Sequence, residues 1–104
     1  MALYAPAMTD DDEVRLRRIR FRAWHRGFRE ADLIMGPFAD TRAHLLSDDQ
    51  LVRLEMLMEE ADQDLYDWII GRAPVPPAFD HDVMAMLRAF RYEAHAALAD
   101  GLRP

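Results

Sequence analysis

The chain has 104 residues, of which 51% are hydrophobic and 31% are charged, and its formal net charge is −6 at pH 7. This length suits one domain and is too short for two ordinary ones, and the apolar fraction excludes a disordered tail. Because the chain has no cysteine and no lysine, disulfides, thiolate metal sites and Schiff-base catalysis are excluded, and a stand-alone enzyme is not expected.

The residue types favour helices over strands. Only ten residues are Val, Ile or Thr, and the abundant unbranched side chains lose little rotamer freedom in a helix. The longest apolar runs, such as Leu33 to Ala39, are far shorter than the roughly 20 residues that span a bilayer. Asp10 to Glu13 follow the N-terminus closely, which argues against a signal or transit peptide. We therefore expect a soluble, cytoplasmic, all-α protein with no membrane insertion.

Two helices are predicted in the first half of the chain. The first runs from about Asp10 to His25, because Thr9 can cap its first amides and Gly27 can adopt the left-handed conformation that ends helices. The second runs from about Phe28 to Leu45, where apolar residues recur at helical spacing. Gly36-Pro37 lies inside this pattern and predicts a kink or a break into two pieces.

A third helix begins after Ser47, which forms a capping-box pattern with Gln50. Its apolar stripe consists of Leu51, Leu54, Leu57, Met58 and Ala61. A fourth, shorter helix follows and ends at Ile70, where Gly71 stops it. Trp68 and Tyr66 on this helix are expected in the core.

The Pro-rich stretch at residues 73–77 predicts an extended connection. The last helix has the most regular period, with apolar residues from Phe79 to Leu98. Together these elements predict a compact five-helix bundle in a single domain. We divide the chain into a flexible N-terminus at 1–9, a helical domain at 10–100 and a tail at 101–104.

The charges are distributed unevenly. Residues 14–29 contain seven arginines and no acid, whereas residues 47–68 contain eight acids against Arg53 alone. The basic helix can fold against the acidic one, or its basic face can dock on an acidic partner or a nucleic acid. The negative net charge argues against a protein whose main role is to hold phosphate backbones. The interleaved aromatic residues are expected to pack in the core: Phe21, Trp24 and Phe28.

No metal site is expected. The four histidines do not form a metal-ligand pattern with carboxylates at helical spacing. The carboxylate pair Glu55 and Glu59 resembles solvated surface more than an acid–base site. Five methionines are interpreted as core residues: Met35, Met56, Met58, Met84 and Met86.

Two segments carry a resemblance to a known family. The first, at residues 17–40, contains the pattern Arg-Gly-x-x-Glu as Arg26, Gly27 and Glu30, followed by Asp32. The second, at residues 47–71, is an acidic helix leading into Asp-Gln-Asp-Leu-Tyr-Asp-Trp and a closing glycine. In this order and separation, they resemble the small helical family called succinate dehydrogenase assembly factor 2, or the flavinator. The resemblance covers roughly residues 14–98 and implies a five-helix bundle.

The resemblance also implies a function without catalysis. The family is a chaperone that binds a client, the flavoprotein subunit of succinate dehydrogenase and in some bacteria that of fumarate reductase. It promotes covalent attachment of FAD to a client histidine, so this chain itself needs no cofactor. The implied client-binding residues lie on an exposed corner where the first helix ends: Arg22, Arg26, Gly27, Glu30 and Asp32.

Two other function classes stay open. A nucleic-acid-binding or antitoxin-like regulator would use the arginine-rich helix and would lose affinity steeply with salt. A small acid–base enzyme is the weaker rival, because a bundle of this size leaves little room for a pocket lined with titrating carboxylates.

Overall fold

The computed structural model describes residues 9–91 and contains five α-helices in that range. Four of them are α1 (Asp10–Trp24), α2 (Arg29–Arg42), α3 (Asp48–Met58) and α4 (Asp62–Ile70). The fifth, α5, begins at residue 82 and reaches the end of the described range at 91. Short 3₁₀ turns at Ala43–Leu45 and Pro77–Phe79 precede α3 and α5. The predicted all-α, five-helix fold is confirmed, whereas the predicted tail at 101–104 and nearly all of the predicted N-terminal segment lie outside the described residues.

Both predicted helix caps are present. Asp12 donates its backbone N–H to Thr9 Oγ1 at 3.1 Å, and Gln50 donates its backbone N–H to Ser47 Oγ at 3.2 Å. In each box the third helical residue also accepts from the capping residue's own N–H. Gly71 ends α4 in the left-handed conformation, with φ of 79°. The predicted starts of α1 and α3 and the predicted end of α4 therefore follow from local sequence alone.

Helix α2 differs from its prediction. The predicted break at Gly36-Pro37 is absent, since one helix continues through Pro37 to Arg42, whereas the alternative of a kink there stays a prediction. Leu45 belongs to the following 3₁₀ turn and is exposed. Proline removes a single backbone donor, whereas this helix buries six residues and gains tertiary packing on both sides of the proline. These residues are Ala31, Ile34, Met35, Gly36, Phe38 and Ala39.

Helix α5 starts later than the apolar period predicts. Phe79 lies in the preceding 3₁₀ turn, and His81 caps α5 by accepting the backbone N–H of Met84 at Nδ1, 3.2 Å away. Asp82, the first residue of α5, accepts from Gln50 Nε2 at 3.0 Å and from Arg53 Nε at 2.8 Å on α3. These donors lower the pKa of Asp82 from 3.8 to about 2. This carboxylate thus joins the starts of α3 and α5 at the surface.

The core is formed by all five helices. Trp68 is buried as predicted, and Tyr66 is partly buried and packs against this core. Three predicted core residues are instead exposed: Phe21 at 63%, Trp24 at 39% and Met56 at 55% relative exposure. Phe21 and Trp24 are exposed because α1 contacts the core through a narrow face, which buries only Leu16, Ile19 and Ala23. Phe21 is two positions from Ile19, about 200° around the helix, and therefore faces away from the core.

The end of α1 approaches the middle of α2 closely because Gly36 has no side chain. A Cβ at Gly36 would overlap the indole ring of Trp24, the last residue of α1. The same indole donates from Nε1 to Asp40 Oδ2 at 3.1 Å. One face of Trp24 thus covers α2 while its N–H is satisfied, which fixes where α1 ends.

We predict that Gly36→Ala destabilises the fold by about 1–3 kcal/mol, because the added methyl must displace the indole. In a Trp24→Ala background the same change should stabilise the protein by up to about 1 kcal/mol, because alanine is the better helix former. Urea unfolding of the four proteins in this double-mutant cycle measures both effects. Equal effects of Gly36→Ala in the two backgrounds would contradict the contact.

Candidate functional site

The motif residues occupy the turn between α1 and α2, which we call the corner (residues 25–32). His25 caps α1 by donating its backbone N–H to Arg22 O at 3.4 Å, and Gly27 follows with φ of 85°. This left-handed conformation is the one predicted for Gly27. No atom lies within 4 Å of a Cβ built at Gly27. The glycine is therefore required by its backbone conformation and opens onto free space.

Arg26 points into the protein, not outward. Its side chain is only 5% exposed, and its guanidinium donates from Nη1 to Met58 O at 2.9 Å and from Nη2 to Glu60 O at 2.7 Å. Its Nε lies 2.7 Å from Asp62 Oδ1 in an ion pair. The guanidinium is therefore not exposed at the corner, because two carbonyls that accept its hydrogen bonds and the carboxylate of Asp62 surround it. A role for Arg26 in client binding stays a prediction.

The acceptors of Arg26 explain its orientation. The last carbonyls of any helix lack partners within the helix, and α3 has no basic residue in its last turn. Arg26 supplies donors to this end of α3 from a residue 32 positions earlier. Its ionic partner Asp62 is the first residue of α4. One planar donor group thus joins the corner to the junction of α3 and α4.

Two further predicted site residues also make internal contacts. Asp32 Oδ1 accepts the backbone N–H of Arg26 at 3.2 Å, which fastens the corner to the first turn of α2. Arg22 Nη2 lies 2.5 Å from Glu59 Oε1 at the surface, and both side chains keep solvent exposure. Asp32 and Arg22 are therefore placed beside Gly27 but are already engaged within the chain.

Glu30 is the motif side chain that remains available. It is exposed in the first turn of α2, and it has no hydrogen bond or ion pair to any residue between 9 and 91. Phe28 precedes α2 in an extended conformation and provides no side-chain cap. The corner thus presents Gly27 and Glu30 to solvent, and no side chain caps the start of α2.

Sequence reasoning missed two exposed apolar side chains near this corner, Phe21 and Leu33. Phe21 stacks on His25 with ring centroids 4.2 Å apart, and Leu33 is exposed one turn after Glu30. Their exposure could have been predicted from the sequence, because neither position falls on the face of its helix that carries the buried residues. Read by helical angle, that position separates them from the core residues.

A row of ion pairs joins the basic helix to the acidic one. Arg15 donates to Glu55 at 2.6 Å and lies 3.8 Å from Asp48, and Arg22 and Arg26 continue the row toward Glu59 and Asp62. The partners ascend together along both helices, so α1 and α3 run in the same direction. The hydrogen bond to Glu55 raises the pKa of Arg15. The prediction that the basic helix folds against the acidic one is therefore confirmed for these arginines.

Two cavities in the described part of the chain are lined by residues outside the corner. A groove of about 450 Å³ is lined by residues of α2, the turn that follows it, α3 and α5, with Arg42 and Gln50 as its polar members. A second cavity, about 320 Å³ in volume, lies beside Gly71, Asp80 and Arg88.

Within residues 9–91 no three His, Asp or Glu side chains are grouped to hold a metal ion. None of the helices described is both long and apolar enough to cross a membrane.

Comparison with known proteins finds relatives of this chain. Residues 17–91 match the family model described as the flavinator of succinate dehydrogenase. The chain is 39% identical over 67 residues to the FAD assembly factor SdhE of Acetobacter pasteurianus, covering 64% of this chain and 62% of that protein. It is 31% identical over 72 residues to the mitochondrial succinate dehydrogenase assembly factor 2 of Dictyostelium discoideum, covering 69% and 51%. The matches thus span about half to three-fifths of these relatives' lengths.

We predict that Arg26→Ala strongly lowers the stability of the fold, whereas Glu30→Ala leaves it nearly unchanged. Loss of Arg26 leaves two carbonyls without their donor and the Asp62 carboxylate without its ionic partner, so the free energy of unfolding should fall by about 2–4 kcal/mol. Glu30→Ala should change it by less than about 0.5 kcal/mol, because this side chain has no partner in the described structure. Chemical denaturation measures both values. Equal stability of wild type and Arg26→Ala would contradict the structural role of the guanidinium.

Proposed function

The chain belongs to the family of flavinators of succinate dehydrogenase, and on this premise we propose that it is an assembly factor with a flavoprotein client. The client is the flavoprotein subunit of succinate dehydrogenase, and the protein promotes covalent attachment of FAD to it. The names of the bacterial and eukaryotic relatives, FAD assembly factor and succinate dehydrogenase assembly factor 2, support this role.

The proposal rests on one observation, that some motif residues make internal contacts while others are exposed. Arg26 and Asp32 make internal bonds that hold the corner. Gly27 and Glu30 are left exposed, with open space above the glycine. A backbone without a side chain allows close approach of a partner, and a free carboxylate one turn away can accept a charged hydrogen bond. We propose Gly27 and Glu30 as the contact residues and Arg22, Arg26 and Asp32 as their supports.

The proposed mechanism is positioning. The bond between flavin and client histidine forms from client and FAD groups, and this chain contributes neither a nucleophile nor a cofactor of its own. Binding favours the client conformation in which histidine and flavin are aligned. Raising an aligned conformation from 1% to 99% of the client needs about 10⁴-fold tighter binding to that conformation. A preformed corner suits this role because little conformational freedom is lost on docking.

The proposal extends to client range and location. The flavoprotein subunit of fumarate reductase is a second candidate client, since its chemistry poses the same alignment problem. We place the protein in the cytoplasm, where it would meet the client subunit before assembly. Nucleic-acid binding is not part of the proposed function.

The experiment is complementation of cells that lack this protein, read out as covalent flavin fluorescence of the denatured flavoprotein subunit. Wild type should restore the covalent flavin, whereas Gly27→Arg and Glu30→Ala should reduce it at least several-fold. Arginine at Gly27 costs about 1–2 kcal/mol in a left-handed conformation and also blocks close approach.

Two matched variants control for stability. Gly71→Arg places the same side chain at the other left-handed glycine, remote from the corner in sequence, and Glu13→Ala removes another exposed glutamate. Both should restore covalent flavin. Full restoration by Gly27→Arg and Glu30→Ala would move the site elsewhere. Unchanged covalent flavin in the deletion strain would refute the proposed function.

A further inference from the structure

Four of the five arginines of α1 fall into two groups with different surroundings. Arg15 and Arg22, together with Arg26 just beyond the helix, bind acids on α3 and at the start of α4. Arg17 and Arg18 are exposed, and neither has a hydrogen bond or ion pair to another residue in the described range. The internal row of ion pairs therefore accounts for only part of the basic run, and two cations on the outer side of the helix are left unused.

Apolar side chains lie between these two cations. Val14 and Phe21 are exposed at 46% and 63%, and Phe21 stacks on His25, whose Nδ1 lies 2.7 Å from Phe21 O. Residues 14, 17, 18, 21 and 25 recur at the spacing of one helix face, opposite the buried Ile19. We call this face the outer strip of α1. An exposed aromatic ring beside arginines has the composition of a binding surface, not of ordinary solvated helix.

The sign of the charge indicates the kind of partner. The whole chain carries a net charge of −6, yet residues 14–29 contain no acid. The outer strip is thus a basic surface on an acidic molecule, and it would attract an acidic surface while the rest of the molecule repels one. A nucleic acid fits less well, because its phosphates extend over long distances and would meet the acidic remainder.

The strip is also continuous with the corner. Its last residue, His25, caps α1, and Gly27 follows two positions later. A partner that covers Gly27 and Glu30 can therefore extend along α1 without a gap. We propose that the outer strip of α1 docks on an acidic surface of the flavoprotein client, beside the surface that meets the corner. This inference rests on the proposed function and adds a second contact region, with its chemistry, to it.

The test compares two double charge reversals that change the net charge equally. Arg17→Glu with Arg18→Glu alters the strip. Arg72→Glu with Arg88→Glu is the control matched in charge, because both residues are exposed and lie after α4 and on α5. Unlike the strip reversal, it also breaks an ion pair, the one between Arg72 and Asp67. Glutamate and arginine have similar helix propensities, so both proteins should fold, and thermal unfolding followed by circular dichroism checks this. Glutamine at 17 and 18 provides a milder variant if the reversal does not fold.

The measurement is the association rate constant with the purified flavoprotein subunit at low and high salt. At about 50 mM salt the strip reversal should slow association about tenfold or more relative to the control reversal. The difference between the two association rate constants should shrink toward about 0.5 M salt, because charges more than a few ångströms apart are then screened from one another. Phe21→Ser should mainly increase the dissociation rate, because it removes apolar contact without changing charge.

The outcomes distinguish this inference from the proposed function. If wild type does not bind the flavoprotein subunit, the proposed function fails and the strip loses its partner. If wild type binds and the two reversals associate at equal rates, the corner remains and the strip proposal is overturned. Titration of wild type with duplex DNA and with RNA completes the test, and nucleic-acid affinity abolished by the strip reversal, with client binding unchanged, would also overturn it.

Discussion

The guanidinium of Arg26 is the interaction on which the candidate site depends. It lies just beyond α1, yet its acceptors belong to the end of α3, the segment after it and the start of α4. A single planar group satisfies carbonyls that α3 leaves open and neutralises the carboxylate that begins α4. Because the side chain is almost fully buried, removing it leaves buried acceptors unsatisfied, which costs more than the hydrogen bonds themselves contribute. The positions of the exposed Gly27 and Glu30 therefore depend on Arg26, whose own side chain is buried and not accessible from solvent.

The same principle organises the charges of the whole bundle. Acidic residues of α3 and α4 draw part of the arginine run inward, in register along two helices that run in the same direction. The exposed pair between Arg22 and Glu59 contributes little stability by itself, so its main effect is to help fix how α1 lies on α3. Trp24 fixes the other side of α1 by lying on Gly36 and donating to Asp40. With both sides of α1 fastened, the orientation of the outer strip and of the corner is determined.

Local sequence was sufficient wherever the determining partner is a few residues away. The capping boxes at Thr9 and Ser47 and the left-handed Gly27 and Gly71 follow from such short-range rules.

Local sequence was insufficient where the determining partner is remote in the chain. Nothing near Arg26 indicates that its acceptors lie 32 or more positions later, so a motif arginine was interpreted as a surface donor. Phe21 and Trp24 were misassigned because aromatic residues usually occupy cores, whereas α1 buries only one narrow face. The continuity of α2 through Pro37 likewise depends on tertiary packing that outweighs one lost hydrogen bond.

Hydrogen exchange of the intact protein, with and without the purified flavoprotein subunit, tests most directly whether a preformed corner is the docking surface. In the free protein, backbone amides at the end of α3, next to the Arg26 guanidinium, should already be protected, whereas first-turn amides of α2, which no side chain caps, should exchange faster. Binding should slow exchange at Gly27 and through the first turn of α2 and leave the α3–α4 junction unchanged. Protection that appears instead around the groove between α2 and α5, with residues 27–31 unaffected, would contradict the account.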